Sequence, residues 1–236
     1  MKQEVIKKLN QLNHQFYKVT SANFDSSRQY SWDGWEKLLE FLPKAKQLRV
    51  LDIGCGNGRF NEFLMKSSLD FNYLGVDFSA ELLEYAQNRY PEGHFVQKDL
   101  LELNTSDLGN EKFDLVVAFG VFHHIAGFEN RLKLLQLMKS SLIENGLIAI
   151  SLWEFAKSGR YIERFADWSK VGLSEADLEE GDFLLDWQRG VKALRYCHDY
   201  SDNEVVSLVK ESGLMVKHDF LADGKSANMN RYLILK

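Results

Sequence analysis

Three groups of residues along this chain could do chemistry. Around Asp52, glycines stand at 54, 56 and 58, with Cys55 between the first two. Glycine tolerates positive φ and lets a ligand approach the backbone with no Cβ in the way. Two further acids, Asp77 and Asp99, follow short runs of strand-like sequence. Asp77 lies 77 − 52 = 25 residues beyond Asp52, near the spacing at which a carboxylate at the tip of a second strand meets a ribose. An ionised carboxylate only accepts, so it can take hydrogen bonds from two adjacent hydroxyls. The third group joins the adjacent imidazoles His123 and His124 to the cations Arg28 and Arg195. Imidazoles can hydrogen-bond or act as bases, and a guanidinium fork suits a carboxylate.

These groups need a scaffold that brings them to one edge. Val50, Leu51 and Ile53, the glycines and the helical pattern from Arg59 read as strand, tight loop and helix. A dinucleotide fingerprint, G-x-G-x-x-G, needs glycine where Arg59 stands, which weakens a pyrophosphate reading. Further strands are expected at 73–76, 94–97, 113–119 and 147–153, with helices at 80–89, 131–142 and 202–212. The run FDLVVAF, ending in Phe119, has the apolar continuity of a central parallel strand buried on both faces. Strands at 214–221 and 231–235 read as a closing hairpin around Asp223 and Gly224. Residues 1–48 read as two helical pieces separated by polar turn formers at 17–32, and 154–200 is the least regular stretch.

The totals bound the answer. A chain of 236 residues, 45% hydrophobic and 27% charged, with two prolines and no low-complexity segment, reads as one domain spanning 1–236. A net charge of −5 argues against a large basic surface that would grip nucleic acid unaided. No signal-like apolar core opens the sequence, and no run of about 18 apolar residues occurs. A cytoplasmic protein without a membrane span is the expectation. Cys55 and Cys197 lack metal-ligand spacing, and no third ligand stands at a helpful spacing from His123 and His124, so no metal is expected.

The segment VLDIGCGNGRF resembles the first motif of the class I S-adenosylmethionine-dependent methyltransferases. That resemblance implies a seven-stranded, Rossmann-like α/β sheet, mostly parallel with an antiparallel last strand and helices on both faces. It implies S-adenosyl-L-methionine as cofactor, with Asp52 facing the ammonium end and Gly54, Cys55 and Gly56 wrapping the methionine half. Asp77 with Phe78 would meet the ribose, Asp99 the adenine amine, and Leu100 would help to sandwich the ring. Phe119, and Tyr17 and Arg28 from a lid at 1–48, complete the expected cofactor set. Arg28 could equally hold the acceptor, and residues 154–200 would cover the acceptor site. His123, His124 and Arg195 are the catalytic candidates.

Four further stretches, FYKVTSANFDSSRQYSWDGW, HHI, GDFLLDW and RYCHDYSDNEVVSLV, resemble the tRNA wobble-uridine carboxymethyl methyltransferases. The sequence departs from that group at Asp186, where a proline is usual, and at Cys197, where a second tyrosine is usual. This likeness implies methylation of a carboxylate on tRNA, with an activating subunit as partner. The alternatives are a small-molecule acceptor and a non-catalytic module that only binds the cofactor.

Overall fold

Val50, Leu51 and Ile53 are fully buried because their strand, β1 (Leu48–Ile53), has a parallel neighbour on each side. The computed structural model describes residues 1–28, 30–187 and 191–236; positions 29 and 188–190, within the expected lid and covering segment, lie outside the described residues. Two helices, α1 (Gln3–Ser27) and α2 (Asp33–Leu38), precede β1. After it come α3 (Arg59–Lys66), β2 (Phe71–Asp77), α4 (Ala80–Arg89), β3 (His94–Gln97), β4 (Phe113–Phe119), α5 (Phe128–Ser140) and β5 (Leu142–Trp153). Three strands, β6 (Phe165–Ala166), β7 (Asp182–Trp187) and β8 (Ala193–His198), form a separate antiparallel sheet, and α6 (Asp202–Ser212), β9 (Val216–Ala222) and β10 (Asn230–Leu235) close the chain.

The main sheet has the order β3-β2-β1-β4-β5-β10-β9. Its pairings are parallel except those of β10, which lies antiparallel between β5 and β9. This is the sheet that the sequence resemblance implies. All seven residues of β4 are buried, and they alternate between two cores. Val116 and Ala118 face α5 and α6 with Leu135, Met138 and Leu208, whereas Leu115, Val117 and Phe119 face α2 and α3 with Trp35, Phe60 and Phe63. No helix among the described residues is long and apolar enough to cross a membrane.

Three local expectations need correction. The polar segment expected to interrupt the first helix is helical as far as Ser27. Its hydroxyls fold back onto helix carbonyls, Thr20 donating to Phe16 O at 2.8 Å and Ser27 to Phe24 O at 3.1 Å, so they do not compete for the backbone. The strand expected at 147–153 starts earlier: β5 begins at Leu142, runs through Gly146 and shifts register against β4 between Phe113 and Leu115. The irregular stretch contains a sheet, whose β7 hides Leu184, Leu185 and Trp187. A two-residue strand at Phe165–Ala166 and several 3₁₀ segments break its periodicity into pieces too short to read.

A buried charge network fastens this second sheet to α5 and α6. Arg131, 1% exposed, donates to Glu179 at 2.7 Å, Glu204 at 2.9 Å and Ile125 O at 3.0 Å. His198 stands between Asp182 (2.7 Å) and Glu204 (2.9 Å). Burial works against its charge, but hydrogen bonds to those two carboxylates outweigh it and raise its pKa above the ordinary value. A raised pKa contributes stability that is fully present below the unfolded value of about 6.5 and is lost as pH climbs through the folded value. The stability gap between wild type and His198→Gln, from denaturant unfolding, is therefore expected to be widest in mild acid, at about 1 kcal/mol or more, and to narrow on going alkaline. A gap that widens with pH would contradict the charged imidazolium.

Candidate functional site

The site begins where β1 ends. Gly54 and Cys55 both donate their amides to Val76 O, at 2.7 and 3.1 Å, which turns the chain sharply away from the sheet. Gly54 has φ +74°, and a Cβ there would come 2.2 Å from Val121 Cγ2 on the loop after β4. Gly56, with φ +54°, opens onto space bounded by Leu82 and Phe24, and its amide donates to Asp77 Oδ2 at 2.9 Å. The Ser79 amide donates to the other oxygen at the same distance. Asp77 is thus fixed against the loop at the tip of β2. Ser79 separately caps α4 by accepting from the Leu82 amide. Two amides leave lone pairs on Asp77 for further donors.

Ten of the expected cofactor residues line one hollow at the carboxyl edge of the sheet: Tyr17, Asp52, Gly54, Cys55, Gly56, Asp77, Phe78, Asp99, Leu100 and Phe119. The space it encloses is about 860 Å³ when the solvent at its open mouth is included. Asp52 is 3% exposed and accepts from Tyr73 OH at 2.6 Å. Burial pushes its pKa up to about 7, with Tyr73 pulling it down and Asp77 adding to the rise. A cationic group beside it would relieve that strain. Burial also raises Asp77, against the pull of the Ser79 and Gly56 amides. Asp99 accepts from the Leu101 amide at 2.9 Å and from Asn10 of α1 at 2.7 Å, while His14 Nε2 stands 3.2 Å away and stacks on Phe78 at 4.2 Å. At the far end of α1, Asp25 grips Arg89 through two hydrogen bonds and accepts from Asn57 of the glycine loop at 2.8 Å. The helix is therefore tied to the hollow at both ends.

A second hollow shares Tyr17, Phe24, Arg59, Phe119 and Gly120 with the first. Arg28 lines this one and is absent from the first, its guanidinium 4.0 Å over the Phe24 ring. Of the catalytic candidates, His123 and Arg195 line it, while His124 lines the first. Arg195, on β8 and 7% exposed, sits among the rings of Trp153 (4.9 Å), Phe16 (5.2 Å) and Trp187 (5.6 Å). Among the described residues no carboxylate forms an ion pair with it.

The two histidines differ in their partners. His124 Nδ1 is 3.0 Å from Tyr196 O and its Nε2 2.9 Å from Tyr17 OH. Burial and the nearby Arg195 charge depress its pKa to about 3. The neutral tautomer that fits donates from Nδ1 and accepts from Tyr17, whose own pKa burial lifts to about 12. His123 is likewise held neutral by burial and by His124 and Arg195, and its Nδ1 is buried without a hydrogen-bond partner among the described residues. Cys197 comes in from β8, so that donor atoms of His123, His124 and Cys197 lie within 4.8 Å of one another. Sequence spacing gave no sign of that third group.

Arg59 was read only as a mismatch to a dinucleotide fingerprint, yet it lines both hollows. It donates to Tyr30 O at 3.2 Å and lies over Trp32 and Trp35, with burial lowering its pKa to about 10. Its position one residue past the last loop glycine, at the start of α3, was the available signal. Asn10 and Asn13, one turn apart on α1, also line the first hollow and carried no signal in the sequence.

Residues 51–148 match the family described as a methyltransferase domain. A protein of Encephalitozoon cuniculi named as a methyltransferase is 30% identical over 204 residues, covering 86% of this chain and 87% of its own. The tRNA (carboxymethyluridine(34)-5-O)-methyltransferase of Saccharomyces cerevisiae is 27% identical over 140 residues, 59% of this chain and 47% of its own. Against several other curated relatives the chain spans only about a third of their length. Among solved structures, the DhpI-SAM-HEP complex superposes with a TM-score of 0.70 at 15% identity, covering 97% of both chains.

Proposed function

The chain belongs to the S-adenosylmethionine-dependent methyltransferases, and we propose that it esterifies the carboxylate of a 5-carboxymethyl group on the wobble uridine of tRNA. The observation that carries this reading is Arg195: a buried guanidinium that no carboxylate pairs among the described residues, walled by aromatic rings, in a hollow that adjoins the cofactor's. Such a group is built to receive an anion, and planar rings beside it suit a heterocycle. The yeast relative's name gives the same acceptor group.

The donor set fits the cofactor. Asp77 would take the ribose hydroxyls with the lone pairs that Gly56 and Ser79 leave free, Asp52 the ammonium, and Asp99 the adenine amine beside Phe78 and Leu100. Arg59, within reach of both hollows, would meet the methionine carboxylate, leaving Arg28 on the acceptor side. When bound, the cofactor supplies an electrophilic methyl on its sulfonium. The acceptor carboxylate is already anionic, so no proton need leave it and no strong base is needed. This agrees with two histidines held neutral, one of them hydrogen-bonded on both nitrogens. Arg195 would hold one carboxylate oxygen so that the other points at the methyl, and Trp153, Phe16 and Trp187 would exclude water. In this reading α1 is the lid over the cofactor, and 154–200 forms the outer wall of the acceptor hollow.

The test is transfer of tritiated methyl from the cofactor into tRNA carrying 5-carboxymethyluridine, in parallel with a metabolite extract. Label should enter the tRNA and leave it as methanol on mild alkaline treatment, because a methyl ester saponifies. Alkali-stable label would overturn the ester. Label confined to the extract would assign a small-molecule acceptor.

A further inference from the structure

We propose that the groove running outward from the acceptor hollow binds the RNA strand flanking the acceptor base, with Arg160 and Lys225 holding phosphates and Tyr30 stacking a base. The inference rests on the RNA acceptor proposed above and assigns it a surface. The acceptor hollow does not end at Arg195: it shares Trp153, Arg160 and Tyr161 with an outer hollow that reaches Lys225. Together they make one path from the methyl-transfer end to the surface.

The path is lined with what a single strand requires. Arg160 lies 5.6 Å from the Tyr161 ring, and Tyr30 stands at the rim 84% exposed, with no ring or cation of the described residues over its face. Among the described residues neither Arg160 nor Lys225 forms an ion pair, whereas Arg231, Lys66, Lys98 and Arg49 elsewhere on the surface are each paired. The acids along the path are already engaged. Glu154 is paired with Lys157 at 2.5 Å, and Asp223 accepts from Gly34 N, Asn230 and Tyr232. Two cations without an ion pair among the described residues thus lie along the path beside acids that are already engaged, in a chain whose net charge is −5. Cations that follow a backbone, interleaved with rings on which bases stack, are the means by which single strands are held. A lone small acceptor would have no use for cations this far out.

The experiment is fluorescence anisotropy of a labelled, unmodified anticodon stem-loop transcript with the full chain across a salt series. Wild type should bind, with affinity falling as salt rises. Arg160→Ala combined with Lys225→Ala should weaken binding about tenfold and flatten the slope of log K against log salt by about 1.4, roughly 0.7 for each phosphate contact. Tyr30→Ala should weaken binding about tenfold with the slope unchanged. Calorimetry with the cofactor confirms that each variant is folded. Absence of RNA binding by wild type, or a double variant with wild-type affinity and slope, overturns the proposal. A second arm offers the free nucleoside 5-carboxymethyluridine as acceptor. Nucleoside methylation with RNA binding indifferent to the variants removes the groove and keeps the chemistry. RNA binding that responds to the variants, without transfer to any carboxymethyl acceptor, keeps the groove and removes the acceptor group.

Discussion

Arg195→Met is expected to lower kcat/KM for the carboxylate acceptor by about a thousandfold while leaving the cofactor's Kd within about twofold. Truncating one partner of a buried, hydrogen-bonded charge pair costs about 2–5 kcal/mol, and every 1.36 kcal/mol is a factor of ten. Methionine keeps most of the apolar bulk among Phe16, Trp153 and Trp187, so the ring cage should survive. Arg195→Lys separates charge from shape. An ammonium retains the attraction but loses the planar fork that orients a carboxylate, and its activity should fall between the two. The loss should appear in both kcat and KM, since the same contact binds the acceptor and aims it. A folded Arg195→Met enzyme with wild-type kcat/KM would sink the acceptor assignment.

The second large effect lies on the other side of the sulfonium. In Asp77→Ala the cofactor's Kd, read by calorimetry, is expected to rise about a hundredfold. Hydrogen bonds to a charged group contribute about 1.5–3 kcal/mol each, and two ribose hydroxyls would lose theirs. The same carboxylate holds the Gly56 and Ser79 amides, so alanine also frees the loop. Asp77→Asn fills the space and keeps one accepting oxygen, and about a tenfold loss is expected. Thermal unfolding of both variants distinguishes a lost ligand contact from a collapsed loop. Because burial raises the pKa of Asp77, affinity should begin to fall on acidification before an ordinary carboxylate would protonate. Wild-type affinity in Asp77→Ala would remove the ribose assignment.

Much of this site could be read from the sequence because it is built from strand ends. Asp52, Asp77, Asp99 and Phe119 each close or follow a strand, and parallel strands in one open sheet deliver their carboxyl ends to one edge. Order along the chain therefore predicted neighbourhood in space, and ten of the expected cofactor residues share one hollow. The glycine loop was legible for a related reason. Its backbone needs positive φ at Gly54, Gly56 and Gly58, and few other residues accept that.

The acceptor side was not legible in that way. Arg195 reaches the hollow, and Cys197 the histidine pair, through a small antiparallel sheet whose strands are short and separated by turns, and its position is set by the buried pairings of Arg131, His198, Asp182 and Glu204. Those contacts span up to 73 residues, and no local periodicity records them. The sequence alone determined the succession of strands along the chain, the loop and the acids that end or follow those strands, because each follows from backbone geometry within a few residues. Tertiary packing alone decided which hollow each arginine enters, that His124 is hydrogen-bonded on both nitrogens, and that no carboxylate among the described residues pairs with Arg195. Charge and burial at those places are set by groups far apart in the chain.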